Sequence, residues 1–394
     1  MSAACNKASV AVSGTPMIFP GMDTRQKLEL LADASRYDLS CACGTRDNSD
    51  HRRRTGEGMW LYPVSLPSGG TSVMLKTLLS NACVNDCRYC PFRAERDVRR
   101  CALEAEEVAN VFLEYVRRLG IMGIFLSSGV LRDPDHTMDR LCAVAEILRC
   151  KHQYRGYIHL KIIPGASEAA IERALSLASA VSLNVEVPKR AAFLPLSTKK
   201  DYDRDIVAPL KRIAALTAPG MRYARVRQTT QFIVGASHEK DAEIIQATFG
   251  LYRRLGLDRV YYSAYQRGLG DPSVPGETSP RTAAELLTRE HRLYQADFLL
   301  RKYKWDEKDI PLDADGNLSL TVDPKQRWAE QHPEFYPVRL RSAGREMLLR
   351  VPGLGPTMVK RILDGRREGC FRGLREIGLR GKNLEKVTRY VVPA

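Results

Sequence analysis

Three cysteines, Cys83, Cys87 and Cys90, stand at Cys-x3-Cys-x2-Cys spacing in the stretch Asn81-Ala-Cys83-Val-Asn-Asp-Cys87-Arg-Tyr-Cys90-Pro-Phe92. Thiols this close in sequence close one short loop around one metal centre. A four-iron cluster ordinarily takes four thiolates, so three from a single loop leave one iron with a position for a ligand that is not protein. Such an iron binds substrate or cofactor. The rival reading is a zinc site completed by a fourth ligand, for which Cys101, Cys41 and Cys43 are the nearest candidates. Zinc knuckles usually carry two spaced pairs, and this triad has no second pair at comparable spacing. Packing alone does not explain three thiols crowded into a polar loop.

Further groups with chemistry follow later in the chain. In Ser182-Leu-Asn184-Val-Glu186-Val-Pro188, Asn184 and Glu186 are at i and i+2, which on a strand places both on one face. A ribose diol satisfies an amide and a carboxylate together; the alternative is a buried structural hydrogen-bond pair. His159 and Lys161 repeat the relation, and facing inward they would meet a carboxylate or phosphate. Val260-Tyr-Tyr-Ser-Ala-Tyr265 offers rings on which nucleobases could stack, with core packing as the plainer role.

These residues sit in a regular alternation. Short apolar runs rich in β-branched residues predict strands over 73–80, 121–127, 157–163, 180–187, 226–234 and 259–265. Amphipathic stretches predict helices over 104–119, 137–153, 167–178, 201–217, 239–255 and 281–303. Strand–helix alternation implies parallel strands joined by right-handed crossovers. In such architectures chemistry collects where strands end and helices begin. The cysteine loop follows the first strand, and Ser127-Ser128-Gly129 follows the second.

The loop spacing, Tyr89 before the third cysteine, the apolar strand Val73–Leu79 feeding the loop and the six strand–helix pairs resemble the radical S-adenosylmethionine (AdoMet) superfamily. The resemblance implies an α/β fold, a partial (β/α)6 barrel, with a [4Fe–4S] cluster on Cys83, Cys87 and Cys90. The open iron would chelate the amino and carboxylate groups of AdoMet, and an external electron donor would reduce the cluster. It further implies that Tyr89, Ser127, Ser128, Gly129, Asn184 and Glu186 are cofactor-binding. Serines stand here where the family has a Gly-Gly-Glu-like segment; backbone contacts survive that change and a carboxylate contact does not. Gln231-Phe-Ile-Val-Gly235 resembles the family's apolar strand beside adenine, with Glu239 one position later than usual.

Charge draws attention to the C-terminus. Lys plus Arg number 61 against 46 Asp plus Glu, a net charge of +15, and residues 339–394 hold 14 basic and 5 acidic residues. A concentrated cationic segment suggests a polyanionic partner, usually nucleic acid. Within it, Met347-Leu-Leu-Arg-Val-Pro-Gly353-Leu-Gly355-Pro-Thr-Met-Val-Lys360-Arg361 matches a helix–hairpin–helix pattern, in which backbone N–H groups at the second helix bind phosphate without reading sequence. Gly353 and Gly355 shape the turn, Lys360 and Arg361 add cations, and Ile377-Gly-Leu-Arg-Gly381-Lys-Asn-Leu is a weaker echo. Triad, alternation and hairpin together resemble the radical AdoMet proteins described as putative DNA modification or repair proteins. That group implies DNA as partner, and a uracil-DNA-glycosylase-like protein as another. An RNA-modifying radical enzyme and a non-catalytic, metal-containing nucleic-acid-binding protein are the alternatives.

The expected organisation is a mobile tail over 1–24, an N-terminal helix and basic loop over 25–72 that includes His51-Arg-Arg-Arg54, the barrel over 73–303, a connector over 304–338 and a small all-α hairpin domain over 339–394. No secretory signal and no run of about 20 apolar residues is present, so the expectation is a cytoplasmic protein without a membrane span. The remaining cysteines are then expected to be reduced.

Overall fold

The computed structural model describes residues 18, 21–35, 60–65 and 70–392. The expected tail falls almost wholly outside the described residues, as do Cys41, Cys43 and the run His51–Arg54. The chain divides into two compact units, residues 1–238 with 254–283, and residues 239–253 with 284–394.

The first unit is built on a seven-stranded sheet: β1 (Leu61–Ser65), β2 (Thr71–Leu78), β3 (Gly123–Ser127), β4 (Tyr157–Lys161), β5 (Ala180–Ser182), β6 (Arg227–Val234) and β7 (Arg259–Ala264), paired in that order. From β2 to β7 every pairing is parallel. Strands that pair in chain order must cross over in the same sense each time, so the helices collect on one face and the sheet curls around the other. Helices α1 (Thr24–Ser35), α2 (Ala105–Leu119), α3 (Pro134–Glu146), α4 (Glu168–Leu177), α5 (Arg190–Phe193) and α6 (Ala208–Thr217) belong to this unit. Along the row, α2 packs on α3, α3 on α4 and α4 on α6. The result is the open α/β partial barrel that the alternation implies.

Local signals set the helix ends. A reciprocal Glu104/Glu107 capping box opens α2, and Gly120 closes it at φ 60°. Asp133 caps α3 with Pro134 in its first turn, so this helix starts earlier than the expected residue 137. Leu28, Leu31 and Ala32 of α1 are buried, as their spacing predicts.

The two sheet faces differ in chemistry. Toward the helices, Leu75, Ile124, Leu126, Ile158, Leu160, Val181, Phe232, Val260 and Tyr262 are almost fully buried. The pairing register places Lys76, Phe125, Ser127, His159, Lys161, Ser182, Gln231 and Ser263 on the opposite, inward face. The same register puts Leu78, Ala180, Ile233 and Tyr261 on this face, so polar and apolar side chains line the lumen together.

Two strand expectations need correction. β1 pairs antiparallel with β2 inside the segment read as helix and basic loop. Its five residues include Pro63, which an edge strand tolerates and which masks strand character in sequence. The strand expected over 180–187 stops at Ser182, and Glu186 takes φ 65°.

The second unit holds α7 (Asp241–Leu255, apart from its last two residues), α8 (Ala283–Phe298, apart from Ala283), α9 (Pro324–Gln331), α10 (Arg345–Arg350), α11 (Pro356–Arg367) and α12 (Gly381–Thr388). The C-terminal segment is not wholly helical: β8 (Val338–Arg339) pairs parallel with β9 (Val391–Val392). Arg289, only 2% exposed, bridges Asp241 at 2.6 Å and Glu239 at 3.3 Å. Asp241 also accepts the Leu318 N–H at 2.9 Å, so these buried charges are paired and hydrogen-bonded. Glu239 therefore faces Arg289, an ion-pair role the sequence reading did not foresee. Arg350 stands against two neighbouring indoles, 4.2 Å from the Trp305 centroid and 4.3 Å from that of Trp328.

Candidate metal and cofactor site

β2 delivers the chain to the cysteine loop at the C-terminal end of the sheet. The Leu79 N–H donates to Ser127 O at 2.7 Å, the Gly129 N–H to Ser80 O at 2.7 Å and the Val84 N–H to Val130 O at 2.9 Å, so the loop lies along the segment that follows β3. This approach needs a glycine: a Cβ on Gly129 would stand 2.3 Å from the Ala82 carbonyl oxygen.

Three side chains hold the loop from outside the triad. Arg100, 3% exposed, donates through Nη1 to the carbonyls of Asn81 and Phe92, both at 2.8 Å, and through Nη2 to those of Arg93 at 2.9 Å and Arg96 at 2.7 Å. The Asn81 side chain donates to Arg99 O and accepts from the Cys101 N–H. Asp86 accepts from the Ser197 and Thr198 hydroxyls at 2.5 Å each and from the Thr198 N–H at 2.8 Å. Burial pushes the Asp86 carboxyl up, but these bonds outweigh it and hold it at about 2. These bonds tie the loop to side chains outside the triad.

Cys83, Cys87 and Cys90 line one cavity of about 200 Å³, together with Tyr89, Ser127, Ser128, Gly129, Asn184, Glu186 and Lys200. Cys83 Sγ accepts the Val130 N–H at 3.3 Å, and Cys90 Sγ accepts the Phe92 N–H at 3.4 Å. Burial pushes the Cys87 and Cys90 thiols above their ordinary range. Lys200 lines the same cavity; burial works against its charge, yet the Cys87 and Glu186 charges raise its pKa overall. Three cysteines on one cavity with N–H donors on two of the sulfurs suit an iron–sulfur cluster, which takes cysteine as thiolate. Among the described residues no three His, Cys, Asp or Glu side chains, the cysteine triad included, stand close enough together to hold one single metal ion. Cys101 is buried and does not line the cavity.

Asn184 and Glu186 reach this cavity by a different route from the one expected. With β5 ended at Ser182 they share no strand face; the irregular segment after it carries both inward, with Asn184 Nδ2 3.5 Å from a Glu186 oxygen. The Glu186 backbone, at φ 65°, bridges to β6 by donating to Gln231 O and accepting the Ile233 N–H. A left-handed non-glycine residue is uncommon and often marks a site. Burial, followed by the charge of Glu186, pushes the Tyr89 phenol well above its ordinary range. Lys161 lines the cavity. His159, on the same face but one layer further from the strand ends, holds Tyr157 Oη at 3.1 Å and Ser182 Oγ at 3.0 Å.

No protein-family model and no curated protein matches this chain. Solved structures do. The FeFe-hydrogenase maturase HydG from Carboxydothermus hydrogenoformans is 18% identical at TM-score 0.45, over 58% of this chain and 51% of that one. Methylornithine synthase (PylB) is 15% identical at TM-score 0.43, over 57% and 62%. The cobalamin-dependent S-adenosylmethionine radical enzyme OxsB is 14% identical at TM-score 0.32, over 75% and 45%. The chain thus spans about half the length of the HydG it matches. Likeness at this level identifies neither reaction nor substrate.

The C-terminal residues singled out by sequence lie in the second unit. Gly353, at φ 90°, shapes the turn between α10 and α11, and Gly355 is the residue before α11. Lys360 is exposed and pairs with Asp364 at 2.6 Å. Arg361 donates to Ile377 O at 2.8 Å, tying α11 to the next turn. That turn repeats the first at an offset of 25 residues: Gly378 has φ 93°, and Leu379 and Val387 are buried as Leu354 and Ile362 are.

Sequence reasoning missed Arg100, Asp86 and Lys200. Arg100 acts on backbone carbonyls, which carry no residue signature. Asp86 and Lys200 act across more than a hundred residues of chain, and no spacing reveals them.

Proposed function

We propose that this protein is a radical AdoMet enzyme acting on DNA. The observation that carries the reading is the meeting of Cys83, Cys87 and Cys90 on one cavity with Tyr89, Ser127, Ser128, Gly129, Asn184 and Glu186. The three thiols would hold a [4Fe–4S] cluster, with the Val130 and Phe92 N–H groups and Lys200 offsetting sulfur charge. Asn184 and Glu186 provide an amide and a carboxylate for a ribose diol, with Tyr89 on the same cavity wall. Backbone groups of Ser127, Ser128 and Gly129 suit the polar end of AdoMet. When bound, the cluster and AdoMet supply one-electron cleavage and hydrogen abstraction from substrate. The chain's part is to bind, orient and exclude water.

For the nucleic-acid part, support comes from the repeated glycine turn before α11 and α12, the cationic surplus of the last 56 residues and exposed Lys360 and Lys382. Two such turns offer two sets of backbone donors to phosphates, an arrangement suited to a regular duplex. The test has two arms. Duplex DNA affinity should fall steeply with salt, each neutralised phosphate adding roughly −0.9 to the log–log slope, and Lys360→Glu with Lys382→Glu should flatten it. Reconstituted protein incubated anaerobically with AdoMet and a reductant should convert a nucleoside in DNA, read by nuclease digestion and mass spectrometry. Conversion of RNA alone would overturn the DNA assignment.

A further inference from the structure

Beside the cavity that holds the cysteines lies a second, open hollow of about 530 Å³, lined by Asn85, Pro134, Pro164, Gly165, Lys199, Lys200, Arg204 and Asp205. It shares Asn85, Pro164 and Lys200 with the first. Three of its lining side chains are cationic and one is anionic. That carboxylate is already engaged: Arg204 Nε and Nη2 bind the two Asp205 oxygens at 2.7 and 3.0 Å, and the Asp201 N–H adds a bond at 2.8 Å. Burial pushes the Asp205 carboxyl up, but these bonds hold it below its ordinary value and keep it charged. The fork leaves Arg204 Nη1 for another acceptor. Lys199 Nζ donates to Val84 O at 2.7 Å, which anchors an exposed ammonium that has two further donors. Lys200 stands in the shared wall, engaged with Cys87 and Glu186 on the side of the first cavity.

We propose that this hollow binds a phosphodiester of the substrate strand, the one flanking the nucleoside that reaches into the cysteine-lined cavity. The shared wall makes the two sites neighbours, so a group bound in the first would have its neighbouring phosphate near the second. Lys199 and Arg204 supply the charge-assisted bonds, and Asn85 lies where an amide can bond sugar or phosphate oxygens.

This inference rests on the nucleic-acid reading, and the experiment separates the two. Full-length protein is titrated calorimetrically with a thymidine dinucleotide, with the same dinucleotide carrying a neutral methylphosphonate linkage, with thymidine 5′-monophosphate and with duplex DNA. The wild type should prefer the phosphodiester over the methylphosphonate by about tenfold, the scale of one or two charge-assisted hydrogen bonds. Lys199→Gln with Arg204→Gln, which keeps amide donors and removes charge, should erase that preference while AdoMet affinity stays unchanged. Lys360→Glu with Lys382→Glu should leave it intact. A preference that survives the Gln pair, or a monophosphate that binds as tightly as the dinucleotide, overturns the phosphodiester site. Duplex binding without any phosphodiester preference overturns this site alone, whereas absence of binding to every nucleic-acid probe overturns the wider reading as well.

Discussion

Arg100 shows how a residue outside the triad sets the geometry of the site. One guanidinium satisfies four backbone carbonyls of the loop, and a lysine at that position keeps the charge without the planar fork. Arg100→Lys should therefore cost about 3 kcal/mol or more, because buried carbonyls lose charge-assisted partners. Iron retained after gel filtration should fall in parallel with the chemical-denaturation midpoint. Lys325 offers a second test at this scale. The residue is 8% exposed, and its ammonium donates to Leu354 O and sits 4.7 Å from the Tyr303 ring centroid; burial pulls its pKa down to about 7. Below pH 7 folded and unfolded chains both carry this proton. Between about 7 and 10.5 the unfolded chain keeps it and the folded chain does not, so stability rises with pH, by at most about 1.4 kcal/mol per unit. Denaturation of Lys325→Met across that range should lack this contribution to the slope. Of these residues the sequence displays the cysteines, because three ligands fall within one loop. Arg100 and Lys325 act on carbonyls, and only the folded backbone reveals them.

At the level of elements, the alternation of apolar runs and amphipathic stretches was legible because each parallel strand has an apolar face covered by helices. Two strands were misread for local reasons. Pro63 conceals β1, while the apolar residues Leu183, Val185 and Val187 extend the pattern of β5 into a segment whose backbone turns at Glu186. The alternation argument thus gave Asn184 and Glu186 a common site for a reason the structure does not support. The repeated turns of the second unit make a sharper prediction. Gly353 and Gly378 share a left-handed backbone, which costs an alanine about 1 kcal/mol or more. A Cβ on Gly353 would also stand 2.7 Å from Val387 Cγ2, whereas on Gly378 it would meet the flexible end of Arg361 at 3.1 Å. Gly353→Ala should accordingly destabilise by about 1 kcal/mol or more beyond Gly378→Ala, through overpacking. Equal denaturation midpoints for the two variants would show that the turns tolerate a side chain alike.

Across the whole molecule, the first unit gathers thiols at its strand ends beside a lumen of mixed polar and apolar lining, and the second concentrates positive charge around two glycine turns. That separation suits a chain in which one part handles cofactor chemistry and another holds a polyanion. The central claim concerns the cysteine cavity, and one comparison tests it most directly. Wild-type protein and Cys87→Ala are reconstituted anaerobically with iron and sulfide, assayed for both elements, then given AdoMet and dithionite. The wild type should bind about four irons and form 5′-deoxyadenosine, and Cys87→Ala should lose both. A Cys87→Ala protein that keeps a full cluster and cleaves AdoMet at the wild-type rate, or a wild type that binds a single zinc and leaves AdoMet intact, would contradict it.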